Sequence, residues 1–488
     1  MNRELLLLLA VLVPVIGSFL LPFTSRISLS VRNALAFLLV AVSLACSLAL
    51  IPSVMAGQTE TIRLNLPLGL NFVLHADGLA VFMAIVSSLV SAIVLIYSTS
   101  YISHYEYQNE YYLMVVLLLG AMMGLVYAGN LIVLYVFWEI TAIASWRLIG
   151  FFRSPLHVVR ADKAFLVTVF GALAMLLGFI IVYTQTGSFD LAVIKQKLAG
   201  TPLPDLAVGL VLLGILSKSA TLPFHTWLPD AGVAPSPVTA LLHAAVLVKI
   251  GVYVFARLFI VTFTVSPDWQ TAVLVIAALS ALVSAGAALI DKDLKRIIAY
   301  STISQIAFIF LGLASGLSSD PNARIMGVAG ALIYILMHGL AKGGLFLCAG
   351  IVEQNTKTKD ITEMGGLIRT MPVTAIAFLF CAFSVMGVPP FGGFFGKFMV
   401  IGGAAMSGQL WLTLVFVAVA FMTILYLFRV FNMVFLGDAH GALVKEASPI
   451  MIASVAVLAG LSLLGGLLIS PIARFAQSAA QQMLGITQ

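Results

Sequence analysis

Apolar runs long enough to cross a bilayer follow one another along almost the whole chain, and the polar stretches between them are short. In hydrocarbon every backbone N–H and C=O must be satisfied within the protein, and consecutive apolar segments of about 20 residues achieve that only as helices. Fourteen spans are predicted, at 4–22, 31–54, 78–99, 112–129, 131–151, 162–184, 206–228, 236–260, 270–290, 296–318, 325–352, 371–407, 410–436 and 448–472. The longest polar connections, 55–77 and 185–205, are well below the size of a domain. The expected fold is therefore a single all-α polytopic membrane domain over 1–488. Only 9% of the residues are charged, against about 25% in an average soluble protein. That shortage excludes a soluble enzyme, a disordered chain and a nucleic-acid-binding domain. The N-terminal run is nearly bilayer-length and lacks a small-x-small cleavage site, so it reads as the first span rather than a signal peptide.

The loops predict an orientation. Twelve Lys and Arg fall on the side reached after odd-numbered spans and seven on the other, which places both termini on the extracytoplasmic side. Cys46, Cys348 and Cys381 lie in apolar stretches without disulfide or metal-ligand spacing, so no metal site and no cofactor is expected in this chain. No nucleotide-binding glycine loop or nucleophile elbow is visible either. The expectation is a protein that moves something and performs no covalent catalysis.

Six cations fall inside the predicted spans: Arg147, Lys218, Lys249, Lys342, Lys397 and Arg429. Arg147 and Arg429 lie near span ends, where a long side chain snorkels to the interface. The four lysines lie near mid-span, where each costs roughly 2.5–3.5 kcal/mol against lipid. Together that is on the order of 10–14 kcal/mol, as much as the stability of a whole domain. They must face protein, water or a counter-charge, and Glu139 is the acidic residue at comparable depth. One such lysine is readily a static helix-to-helix contact. Four of them, with Glu139 and several histidines, fit better the row of exchanging groups that a proton relay needs. His338 and Lys342 are four apart and share a helix face, whereas His243 and Lys249 are six apart and do not. His225 follows the proline break at Pro223.

Two spans carry prolines at depth. Lys218 precedes Pro223 in the seventh, and Lys397 follows Pro389 and Pro390 in the twelfth. If spans 4–8 and 9–13 are two inverted five-helix repeats, both breaks fall in the fourth helix of a repeat. The expected division is 1–111 for the first three helices, 112–260 and 270–436 for the repeats, and 448–488 for the fourteenth helix and tail.

The segments WEITAIASWRLIGF, SKSATLPFHTWLPDAGVAPSPVTALLHAAVLVKIGVY, DKDLKRIIAYSTISQ, HGLAKGGLFLCAG and GVPPFGGFFGKF, between roughly residues 75 and 440, resemble a known family. It comprises the antiporter-like subunits shared by respiratory complex I (NADH:quinone oxidoreductase), energy-converting membrane-bound hydrogenases and Mrp-type Na+/H+ antiporters. The resemblance implies that Glu139 and Lys218 form an acid–lysine pair and that Lys249, with His243, lies at the centre. It further implies that His338 and Lys342 act together, and that Lys397 ends a proton pathway. Arg147 departs from the family pattern and, with His225, is a candidate modulator. The sixth span lacks the internal Arg and Asp of one complex I branch, and the long lateral helix of that branch is not expected within these 488 residues. The main function implied is a proton-translocating subunit of a multisubunit redox-driven complex, of the NADH:quinone oxidoreductase or hydrogenase type. The alternatives are a subunit of a Mrp-type Na+/H+ antiporter and a structural membrane scaffold. The implied partners are other membrane subunits, a peripheral redox arm in the redox case, H+ or Na+ and lipids, in a bacterial or archaeal plasma membrane.

Overall fold

The computed structural model describes residues 2–65, 67, 71–438 and 445–486. The first group of helices comprises α1 (Arg3–Ser18), α2 (Leu29–Ala49), α3 (Gly78–Tyr101), α4 (Gln108–Val126), α5 (Leu131–Ile149), α6 (Pro155–Thr186), α7 (Asp205–Lys218) and α8 (Ser236–Thr262). Next come α9 (Asp268–Ile290), α10 (Leu294–Ala314), α11 (Pro321–Thr356), α12 (Pro372–Met386), α13 (Gly392–Met406), α14 (Leu410–Phe435), α15 (Pro449–Leu467) and α16 (Ile469–Leu484). The expected spans fall on these helices, except that the twelfth falls on the pair α12 and α13, the fourteenth runs from α15 into α16, and the last ten residues of the seventh lie beyond the end of α7. Among the described residues, eleven helices are long and apolar enough to cross a membrane. The protein is a helical, multi-pass membrane protein.

Polar residues at the ends of the apolar runs start the helices, because a side-chain oxygen satisfies an N–H that has no partner within the helix. Ser28 does so for α2, Asp77 for α3, Asn130 for α5, Asp293 for α10 and Asp320 for α11. α8, α10 and α11 are buried over nearly their whole length and form the middle of the bundle. α6 and α14 lie outside and present rows such as Leu166, Phe170, Leu173 and Leu177, or Trp411, Leu414 and Phe421. Small residues bring α11 and α13 close together. A Cβ at Gly396 would sit 2.7 Å from Tyr334 Cβ, and one at Gly403 would sit 2.6 Å from Gly327 Cα.

Two features lie outside the expected spans. The connection after α2 contains an antiparallel hairpin of β1 (Glu60–Asn65) and β2 (Asn71–Ala76), in register from Glu60 opposite Ala76 to Asn65 opposite Asn71. The second feature is α16, which extends beyond the expected fourteenth span and packs back on α3 and α11. The Gln482 amide donates to the Val54 carbonyl at 2.5 Å, and its oxygen accepts from Gly78 N–H at 3.0 Å. Hairpin, α16 and the end of α8 surround a cavity of about 890 Å³. A bidentate ion pair closes its inner wall, with Arg257 of α8 donating to the two Asp77 carboxylate oxygens at 2.5 and 2.7 Å. Burial alone would push the Asp77 carboxyl up, but the Arg257 charge and these hydrogen bonds hold it well below the usual carboxylate range.

A carboxyl depressed in this way contributes stability that is present above about pH 4 and lost as the pH falls through the folded value. Asp77→Asn leaves Arg257 buried without its counter-charge and is expected to destabilise the protein by about 3–5 kcal/mol. Thermal unfolding in detergent between pH 5 and 8 checks this: the variant should melt lower by a pH-independent margin, and an unchanged midpoint contradicts it.

Candidate functional site

The first half of the site lies between α5 and α7. Lys218 is the last residue of α7 and is fully buried. Its Nζ donates to the Trp138 carbonyl at 3.3 Å and lies 5.3 Å from the centre of the Trp138 ring. The neighbouring Glu139 is half-buried and feels the charge of Lys218, while its Oε1 has no hydrogen-bond partner. No ion pair within 4 Å joins Glu139 to Lys218, so the pair stands open.

α7 stops at Lys218 because the chain turns through a positive φ of 52° at Ala220, and Pro223 cannot donate. The backbone groups around the break are taken up by protein. Leu222 N–H donates to Ser280 Oγ at 3.0 Å, and the Trp227 indole donates to the Ser217 carbonyl at 2.9 Å. Pro223, Pro389 and Pro390 are themselves exposed on the surface of the chain, while Lys218 and Lys397 beside them point inward. A proline ring is apolar and carries no N–H, so it tolerates that position. His225 is not drawn into the row; its charged neighbour is Lys163. Arg147 is tied elsewhere too. Its Nε contacts Glu110 of α4, which also accepts from Arg153 at 2.6 Å.

The middle of the site is built on an irregular helix. α8 contains a π-turn over Leu241–Ala245, closed by Val246 N–H donating to the Leu241 carbonyl at 2.9 Å. Such a wide turn loosens the helical ladder and frees carbonyls. Lys249 uses one of them, donating to Ala244 O at 2.5 Å and to Ile335 O of α11 at 2.8 Å. His243, within the wide turn, has neither ring nitrogen partnered and packs on Phe346 at 4.3 Å between ring centres. His338 of α11 is likewise buried without a partner, and it feels the charges of Lys249, Lys342 and Lys397. Lys342 shares its helix face but turns to α10, donating to Ser301 Oγ at 2.6 Å and Ile298 O at 3.1 Å. Lys397 of α13 has no hydrogen-bond partner and lies 4.5 Å from the Phe308 ring centre and 5.8 Å from that of Tyr334.

Lys218, His243, Lys249, His338, Lys342 and Lys397 therefore lie in the interior of one bundle, with half-buried Glu139 at its edge. Among the described residues none of the four lysines has a carboxylate within 4 Å. Carbonyl oxygens, a hydroxyl and aromatic faces hold them instead, and these neutral groups suit an ammonium or an amine. A buried ion pair locks its charges, whereas a lysine held by neutral acceptors is free to exchange its proton. A screen for intramembrane charge passes over the neutral polar residues here, Ser301, Gln305, Tyr334 and Tyr426; only their helical spacing beside the charged positions marks them. Among the described residues no group of three or more His, Cys, Asp or Glu could hold a metal ion.

A family model described as "NADH:quinone oxidoreductase/Mrp antiporter, TM" matches residues 128–423, which include every member of this row. The chain belongs to this family. A second model, described as the N-terminus of NADH-ubiquinone oxidoreductase (complex I) chain 5, matches residues 65–112. One Na(+)/H(+) antiporter subunit, from Alkalihalophilus pseudofirmus, is 41% identical over 344 residues, covering 68% of this chain and 43% of the relative. Another, from Staphylococcus aureus, is 35% identical over 405 residues, covering 80% and 50%. The chain thus spans about half the length of the curated relatives it matches. Chains of three solved complexes share the fold along nearly their full length. They belong to the Mrp complex of Dietzia sp. (TM-score 0.85, 22% identity, 100% and 98% covered), the membrane-bound sulfane sulfur reductase, an archaeal respiratory membrane complex (0.89, 24%, 98% and 97%), and respiratory complex I of Thermus thermophilus (0.84, 26%, 99% and 99%). The family expected from the motif segments is the family matched.

Gly339 gives a way to move Lys249 in this family member without altering any charge, since a Cβ there would lie 2.9 Å from Lys249 Nζ. Gly339→Ala is expected to displace the ammonium from its two carbonyls and to lower coupled ion transport about tenfold, as loss of a supporting shell does. Transport in vesicles, normalised to assembled protein, checks this, and a wild-type rate shows that the Lys249 position is immaterial.

Proposed function

We propose that this chain translocates protons as one membrane subunit of a multisubunit complex, along Glu139, Lys218, His243, Lys249, His338, Lys342 and Lys397. The observation that carries this reading is the burial of four lysines on neutral partners across the interior. Lys218, Lys249 and Lys342 are 0% exposed and Lys397 is 4% exposed. In the proposed cycle the open Glu139–Lys218 pair closes or opens as a proton moves along the row, because each charge on the row changes the field at the next. A scaffold would retain charges locked in ion pairs, and the absence of such pairs on the row, among the described residues, argues against that reading.

The identity of 35–41% to subunits of Na(+)/H(+) antiporters favours a Mrp-type complex, in which one ion gradient drives another. The redox-driven reading is supported by the likeness to chains of complex I and the sulfane sulfur reductase over 97–99% of those chains; electron transfer would then lie in partner subunits. The matched positions of the two proline breaks, each beside a buried lysine, support two repeats over α4–α8 and α9–α14. The excess of Lys and Arg after odd-numbered spans supports extracytoplasmic termini in a bacterial or archaeal plasma membrane.

Lys218→Ala is expected to reduce coupled proton movement by about a hundredfold, the scale of losing a positioned proton carrier. Dye-reported acidification of membrane vesicles containing the assembled complex reads this, and undiminished pumping removes Lys218 from the path. Glu139→Gln is expected to slow coupled transport with assembly intact on a native gel. Loss of assembly with normal residual transport points to the scaffold reading instead. Mass spectrometry of co-purifying subunits separates the two drives, since iron–sulfur or nickel proteins indicate redox coupling and only small membrane subunits indicate ion exchange.

A further inference from the structure

One chain of neutral polar side chains leads from Lys342 to the edge of Lys397. Ser301 Oγ accepts from Lys342 at 2.6 Å and from the Tyr426 hydroxyl at 2.9 Å. The Gln305 amide nitrogen lies 3.3 Å from the Tyr426, Thr423 and Ser304 hydroxyls, which share its two N–H groups. The Gln305 carbonyl accepts from the Tyr334 hydroxyl at 2.6 Å, and the Tyr334 ring lies 5.8 Å from Lys397 Nζ. The four side chains of this bridge, Ser301, Tyr426, Gln305 and Tyr334, and their neighbours Ser304 and Thr423 are fully buried.

A hydroxyl passes a proton onward by accepting on one side and donating on the other. A carboxamide accepts on oxygen and donates from nitrogen, and conduction through it requires an imidic acid tautomer that water and hydroxyls do not need. Ser301 accepts on both sides in the structure and relays only by turning its hydroxyl toward Tyr426, whereas no rotation lets the Gln305 carboxamide pass a proton, so Gln305 is the fixed break in the bridge. His338 lies on the same side of α11 as Tyr334 and Lys342, feels both Lys342 and Lys397, and has both ring nitrogens free.

We propose that Gln305 is a positioning residue and a proton break: it braces Lys342 and Tyr334 through the bridge and blocks proton passage along it, so that transfer between Lys342 and Lys397 goes by way of His338. The inference rests on the proton-pathway reading above. It explains why a chain of hydroxyls beside two exchanging lysines does not short-circuit them: α10 contributes an amide at its centre.

The test uses the full chain in its assembled complex, in vesicles, with coupled transport and passive decay of an imposed pH gradient both measured. Gln305→Leu keeps the break and loses the brace, so coupled transport should fall about tenfold with passive decay unchanged. His338→Gln should lower coupled transport about a hundredfold. Gln305→Glu places a group that can carry a proton in the gap, so added to His338→Gln it should restore transport about tenfold. Wild-type transport by Gln305→Leu overturns the brace. An assembled Gln305→Glu, His338→Gln double variant as inactive as His338→Gln overturns the break. Lys397→Ala with undiminished transport instead overturns the pathway itself, which keeps the two failures distinct.

Discussion

A charge inside a bilayer must be housed by the protein, because no water is at hand to solvate it and hydrocarbon offers nothing in return. Much of this structure follows from how four lysines are housed. They receive carbonyls of α5, α8, α10 and α11, one serine hydroxyl, and the faces of Trp138, Phe308 and Tyr334. Those acceptors come from helices that must therefore stand in the middle of the bundle, and α8, α10 and α11 do. The apolar outer helices complete the insulation.

A helix carbonyl keeps a second lone pair, which Lys218, Lys249 and Lys342 use at Trp138, Ile335 and Ile298, and local irregularity frees further acceptors. The π-turn at His243 frees Ala244 O for Lys249. The break after α7 leaves Lys218 at a helix end, and the break between α12 and α13 brings Lys397 to the aromatic faces of α10 and α11. Close glycine contacts matter for the same reason. Gly339 leaves room for the Lys249 ammonium, and Gly396 lets α13 lie against the Tyr334 backbone. Irregular backbone carries Lys218, Lys249 and Lys397, whereas His338 and Lys342 lie in the unbroken α11.

The row of charged residues was legible in the sequence because each member breaks a strong rule, the exclusion of charge from apolar spans. The positions of the spans were legible for the same reason, from hydrophobic length. The hairpin was not, since two six-residue strands inside a polar connection carry little periodic signal, and Arg257 lies at a span end where a solvated role is ordinary. Arg147 stood out as unusual, yet its partner Glu110 lies 37 residues away and only packing of α4 on α5 brings them together. The bridge through Ser301, Gln305, Tyr334 and Tyr426 was invisible for a different reason: neutral polar residues in spans are common, and helix-to-helix hydrogen bonding is their usual role.

The sequence by itself determined the solvent, the helical class, the places where helices break and which ionisable groups must hide. These follow from length, hydropathy and proline, properties that act locally along the chain. Tertiary structure alone decided what each hidden group meets: that Glu139 and Lys218 stand open, that Lys342 turns away from His338 toward Ser301, and that an amide stands between the Tyr334 hydroxyl and the Tyr426–Ser301 pair. Partners on different helices are set by helix rotation and close approach, which depend on how whole faces pack together. Local pattern says that a charge needs a host; only packing chooses it.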